Sequence, residues 1–105
     1  MKFYGQFIPP VDRFIFERYF KYPIARRKGT YIECGAFDGI LESSCYFFTE
    51  TLGWKGINIE ASPPIFEKLV EQRPDAVNLH AALSDHDGTV EFTHVYHPNH
   101  GAHFG

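Results

Sequence analysis

The chemistry this chain can offer is concentrated in Glu33-Cys34-Gly35-Ala36-Phe37-Asp38-Gly39 and in Glu60, twenty-five residues after Gly35. Gly35 follows a β-prone run, Thr30 to Cys34. A glycine there lets the backbone turn sharply and leaves no Cβ in the path of a ligand. Gly39 permits a second close approach at the far side of the turn. The Gly-x-x-x-Gly spacing lacks the extra glycine with which Gly-x-Gly-x-x-Gly accommodates a pyrophosphate. A nucleoside without phosphates suits the turn better, and a NAD-binding oxidoreductase suits it worse. Glu60 closes a second β-prone run, where a carboxylate can accept hydrogen bonds from both ribose hydroxyls and disfavours a 2′-phosphate. Glu33 can face an amino group of the same ligand. Each reading has a plainer alternative: a tight turn with no ligand, a strand-end acid that caps the helix starting at Ser62, and for Glu33 a local lysine or arginine.

The elements that must position these residues follow from periodicity. Residues 1–10 form an aromatic arm ending in Pro9-Pro10. From Val11 to Phe20, the positions Val11, Phe14, Ile15 and Tyr19 keep the three-and-four spacing of a helix with one buried face. Pro23 stops this helix, which we expect to cap one end of a sheet. Thr30 to Cys34 reads as a buried strand and Gly35 to Gly39 as a turn. Ser43 to Leu52 reads as a helix, with Tyr46, Phe47 and Leu52 inward and Gly53 as its C-terminal cap. Gly56 to Glu60 is a second strand. Ser62 is an N-cap, with Pro63 and Pro64 in the first turn of a helix carrying Ile65, Phe66, Leu69 and Val70. Pro74 ends that helix, and Ala76 to Ala82 is a third strand. Strands alternating with long crossovers build a parallel sheet. Asp85 to Gly88 is a turn, Thr89 to His94 one further strand, and residues 95–105 an irregular tail. The division is an arm and capping helix over 1–29, a cofactor-binding half over 30–94, and the tail, all within one α/β domain of the doubly wound, Rossmann-like type.

Composition narrows the classes further. With 105 residues there is room for one core. Ten basic and thirteen acidic side chains give a charge of −3, a mild acidity without the broad basic field of a nucleic-acid binder. The run Arg26-Arg27-Lys28 reads as a solvated turn. Cys34 and Cys45 make no disulfide framework and are expected as buried free thiols. No signal peptide is visible, and no stretch approaches the roughly 20 apolar residues that span a bilayer. A cytoplasmic protein without a membrane or nucleic-acid partner is therefore expected. His94, His97, His100 and His103 recur every third residue, but Pro98 and Gly101 disfavour a helix there, so no metal site is expected.

Thr30 through Gly39, Gly53-Trp54-Lys55-Gly56-Ile57-Asn58-Ile59-Glu60-Ala61-Ser62-Pro63, and Asn78 through Ser84 with Gly88 together resemble the FkbM-type methyltransferases. Tyr4-Gly5-Gln6 and Asp12 through Phe20 resemble the lead-in of that family. The resemblance covers residues 4 to about 93. It implies S-adenosylmethionine as cofactor and methyl transfer to a hydroxyl of a small-molecule acceptor, a sugar or natural product. Carried over, the cofactor turn is Glu33, Gly35, Ala36, Phe37, Asp38 and Gly39, the ribose acid is Glu60, and Ala61 and Ala82 sit near the adenine. Ser44 stands where many relatives have Asn, and the acid that many methyltransferases place after the third strand is absent near Ala82. No catalytic base is assigned. The family domain has about seven strands, so this chain is expected to be its N-terminal half, inactive alone, with Thr30 to Cys34 as an uncovered edge open to self-association. The alternative is a non-catalytic nucleoside-binding or structural fragment.

Overall fold

Three parallel strands, β1 (Thr30–Cys34), β2 (Lys55–Glu60) and β3 (Val77–His80), form a sheet in the order β1-β2-β3. This computed structural model describes residues 1–21, 28–89, 91, 95–97 and 102–104. Ahead of the sheet lies α1 (Val11–Ile15), continued by a π-helical turn over Phe16–Phe20. Helices α2 (Tyr46–Leu52) and α3 (Pro63–Gln72) make the two crossovers. The result is an open parallel α/β sheet with helices packed against it, as a partial Rossmann-like fold requires. Registers Ile32–Ile57, Cys34–Ile59, Ile57–Val77 and Ile59–Leu79 align the strands so that their carboxyl ends finish together.

Local chemistry explains where the elements stop. Gly53 adopts a left-handed conformation (φ 73°) and donates its N–H to the Thr49 carbonyl. It closes α2 as a C-cap glycine should. At α3, Pro63 and Pro64 occupy the first two helical positions, where their missing N–H groups leave nothing unpaired. Ser62 holds the N-cap position, although its side chain makes no capping bond. Helix α2 begins at Tyr46 rather than Ser43. The Ser43 hydroxyl accepts the N–H groups of Cys45 (3.1 Å) and Tyr46 (2.9 Å), so Ser43 caps the helix from outside it.

One face of the sheet carries Tyr31, Asn58 and Glu60, all buried, beneath the buried α3 residues Ile65 and Leu69. The other face presents Ile32 (63 % exposed), with Val77 and Leu79 also exposed. Among the described residues β1 pairs with β2 alone.

The lead-in segment buries a different stripe from the expected one. Asp12 and Phe16 are buried and Phe20 is half-buried, whereas Phe14 and Tyr19 are exposed. Several apolar stripes overlap in this aromatic-rich stretch. The polar anchor selects among them: Asp12 accepts the Tyr4 N–H at 2.7 Å and turns its own side of the helix inward. Phe16 and Phe20 follow at steps of four. They join Phe3, Phe47, Phe48 and Trp54 in an aromatic cluster with ring centroids 4.5–6.4 Å apart. The helix thus packs through its rings on α2.

One further expectation changes. The tail is not wholly irregular, because Val95–His97 (β4) and Ala102–Phe104 (β5) pair antiparallel. The strand expected over Thr89 to His94 falls largely outside the described residues, as do Pro23, Arg26 and Arg27.

Candidate functional site

The loop after β1 is sharply folded, with positive φ at Gly35 (67°), Phe37 (58°) and Gly39 (85°). Phe37 is a non-glycine residue in a region that L side chains avoid. It is held there by Glu60, whose Oε1 accepts the Phe37 N–H at 2.8 Å. The Glu60 Oε2 accepts the Ser62 N–H at 2.9 Å. Glu60 is only 8 % exposed, so these charge-assisted bonds compensate its burial. One carboxylate thus fastens the β1 turn to the start of α3, and each oxygen retains a lone pair. Ala36, buried, donates its N–H to the Ile59 carbonyl at 3.0 Å and completes the junction.

Beyond the carboxyl ends of the strands lies a cleft of about 450 Å³, lined by Cys34, Gly35, Ile59, Glu60, Ala61 and Ala82 among others. A Cβ added at Gly35 would meet no atom within 4 Å, so the glycine borders open space. A second concavity of about 350 Å³ shares Ala61, Ala81 and Ala82 with the first and continues past them to His80 and Ser84. The His80 ring stacks on Phe66 at 4.9 Å, and its Nε2 lies 3.0 Å from the Ala61 carbonyl.

Four of the residues expected from the sequence, Gly35, Glu60, Ala61 and Ala82, therefore line one cleft. The others occupy different places. Asp38 folds back on its own loop, its Oδ1 accepting the N–H groups of Ile40 (3.0 Å) and Leu41 (2.8 Å). Gly39 faces α3: a Cβ there would lie 2.5 Å from Arg73 Cγ and 2.7 Å from Leu69 Cδ1. Its glycine is explained by helix packing. Among the described residues Glu33 makes no ion pair with a lysine or arginine; it accepts the Ser43 hydroxyl at 2.6 Å and the Ser44 N–H at 2.9 Å. Burial pushes its carboxyl above the usual range, and those two hydrogen bonds oppose the shift.

The cysteines divide. Cys34 is exposed, because it lies on the sheet face without helices, and it borders the cleft. Cys45 is half-buried, and burial first, then the nearby Glu33 charge, pushes its thiol up to about 12. It is an inert thiol at neutral pH. Among the described residues no group of three or more His, Cys, Asp or Glu is placed to hold a metal ion. His94 and His100 lie outside them.

Arg73 had no sequence signal. It follows α3 directly, before Pro74, where a charged residue reads as solvated. Instead its side chain is fully buried. It donates to the Gly39 carbonyl (2.8 Å), to the Tyr31 hydroxyl (2.6 Å) and to Asp75 through both Nε and Nη2 (3.0 and 2.9 Å). Its guanidinium also lies 4.6 Å from the Tyr46 ring centroid. Asn58 and Asn78 extend the network, Asn78 donating back to the Arg73 carbonyl at 2.9 Å. This buried lattice sets the far side of the β1 turn.

The methyltransferase FkbM domain family matches the chain over residues 33–105. Neither a curated protein nor a solved structure matches it.

Proposed function

Because the chain belongs to the FkbM methyltransferase family, we propose that the cleft between Gly35 and Ala82 holds S-adenosylmethionine and serves methyl transfer to a hydroxyl of a sugar or other small natural product. The observation that carries this reading is the meeting of Gly35, with open space where a Cβ would stand, and the buried carboxylate of Glu60 on one cleft. Bound there, the cofactor would supply an electrophilic methyl group on its sulfonium.

The chain's own residues hold and orient. Each Glu60 oxygen has a lone pair left after its backbone bond, and the two can accept the ribose 2′- and 3′-hydroxyls. Ala61 and Ala82 leave a small apolar floor for the adenine. Gly35 lets the ligand pass close to the backbone, while Ala36, Phe37, Asp38 and Gly39 fix the turn around it. The amino group of the methionyl end is assigned to Glu33, whose carboxylate keeps lone pairs beyond those used by Ser43 and Ser44. With β1 unpaired on its far side among the described residues, the cleft is walled on one side. Binding by residues 1–105 is therefore expected to be weak, and turnover by them alone is not expected.

Calorimetric titration with S-adenosylmethionine, beside Glu60→Ala and Glu60→Gln, tests the assignment. A charge-assisted hydrogen bond contributes about 1.5–3 kcal/mol, so Glu60→Ala should weaken binding by roughly ten- to a hundredfold. Glu60→Gln keeps one acceptor and should fall between. If variants with unchanged circular dichroism bind as the parent does, Glu60 serves only to join Phe37 to Ser62, and the ribose assignment fails.

A further inference from the structure

Positive charge is distributed unevenly along this acidic chain. Seven of its ten Lys and Arg residues fall within the first 28 positions, with two of its thirteen Asp and Glu. That leaves five surplus positive charges on residues 1–28. The remaining residues hold three basic and eleven acidic side chains, eight surplus negative charges. Lys2, Arg13, Arg18, Lys21 and Lys28 are all exposed; of the two acids in this stretch Asp12 is buried, and Glu17 pairs with Arg13 at 2.7 Å on the surface, a weak exposed pair that a phosphate can replace.

The same segment carries apolar side chains that the core does not use. Ile8 is 100 % exposed and Phe7 75 %, and Phe14 is exposed beside them. Phe7 sits at φ 76°, a conformation unfavourable for a non-glycine residue, yet gains little burial from it. The tip is fixed on both sides. The Val11 N–H donates to the Gln6 carbonyl at 3.0 Å, Gly5 bridges to Glu42, and Gln6 Nε2 donates to Glu42 Oε2 at 2.8 Å. Next to Ile8, Pro9, Arg13, Phe14, Glu17 and Arg18 line an open concavity of about 380 Å³. Arg13 and Arg18 thus share this concavity with Pro9, which follows the exposed Phe7-Ile8 tip directly in the chain.

We propose that this surface docks the protein on an anionic lipid bilayer, with Phe7 and Ile8 entering the interface and Arg13 and Arg18 meeting lipid phosphates. Basic side chains around a protruding apolar tip match the two attractions that bring a protein to such a surface, apolar insertion and charge. A fully exposed aliphatic tip favours lipid over nucleic acid, which engages stacking rings and cations. Among the described residues no helix is long and apolar enough to cross a bilayer. Peripheral docking needs none, and here the proposal departs from the sequence-based expectation of no membrane partner.

Flotation of the chain with vesicles of phosphatidylcholine, with and without phosphatidylserine, is the test. It requires no cofactor, so its result is independent of the cleft assignment. The chain should float with the anionic vesicles only, and high salt should release it. The Phe7→Ser/Ile8→Ser variant and the Arg13→Glu/Arg18→Glu variant should each lower partitioning by about tenfold or more, with circular dichroism and unfolding midpoint near those of the parent. Equal binding to both vesicle types, binding to neither, or folded variants that partition unchanged would overturn the proposal. So would retention by duplex DNA, or self-association abolished by the same substitutions, where anionic vesicles are not bound.

Discussion

Replacing Arg73 with methionine is expected to destabilise the protein by about 3 kcal/mol, the upper end of the cost of leaving a buried polar group without its partner. The argument rests on what the guanidinium leaves behind. Asp75 is 43 % exposed in its side chain and can rehydrate, so it contributes little to the loss. The Gly39 carbonyl and Tyr31 hydroxyl lie in the interior and would lose charge-assisted partners at 2.8 and 2.6 Å. Tyr31 keeps its bond to Asn58, but the Gly39 carbonyl is left without its side-chain donor, and an unsatisfied buried group of that kind costs about 1–3 kcal/mol. Arg73→Lys should rescue little, since a single ammonium cannot span Gly39, Tyr31 and Asp75 together. Urea unfolding gives the number; a loss below about 1 kcal/mol would mean that the polar lattice is dispensable. A pH signature accompanies it. Hydrogen bonding from Arg73 holds the Asp75 carboxyl below its usual 3.8. Its stabilising contribution is therefore present above that value and lost as the pH falls through the lower folded-state value. Arg73→Met should abolish that acid-side dependence.

Gly56→Ala should be nearly as damaging, at about 3 kcal/mol, the upper end of overpacking costs. A methyl group there would sit 2.0 Å from Tyr31 Cζ and 2.3 Å from its hydroxyl oxygen. No rotation of the methyl relieves such a contact, so the buried ring itself must move. Tyr31 carries the hydroxyl that accepts from Arg73 and lies 3.3 Å from Asn58 Oδ1, so its displacement disturbs the same lattice from the other side. The two substitutions share partners and should be less than additive when combined. Thermal and urea unfolding of both single variants and the double variant would measure this. Full additivity would show that Tyr31 finds another place without disturbing Arg73.

Strands and crossovers were legible because their signals are local. Thr30–Cys34 and the residues through Glu60 are β-prone runs bounded by glycine, and Pro63, Pro64 and Gly53 mark helix ends through backbone chemistry alone. The cleft was legible for a related reason: a strand-end glycine and a strand-end acid in neighbouring parallel strands must finish at the same level. Contacts between distant segments left no such trace. The packing demand on Gly39 is one such case, because the approach of Leu69 and Arg73 is tertiary. The Val11 to Phe20 stretch offered more than one apolar stripe, and only the bond from Tyr4 to Asp12 chose between them. Glu33 found serine partners ten and eleven residues on, a loop geometry that spacing does not encode.

The bare sheet face has a calorimetric consequence. Ile32, Val77 and Leu79 remain 45–63 % exposed in the folded state, so they add less than core residues to the heat-capacity increment of unfolding, which tracks newly exposed apolar area. For the described residues that increment should fall below the roughly 12–15 cal/mol/K per residue typical of globular proteins. The stability curve should be correspondingly flat, with slow change on cooling and a broad transition on heating. Scanning calorimetry would reveal it, and anything that covers Ile32, Val77 and Leu79 should steepen the curve.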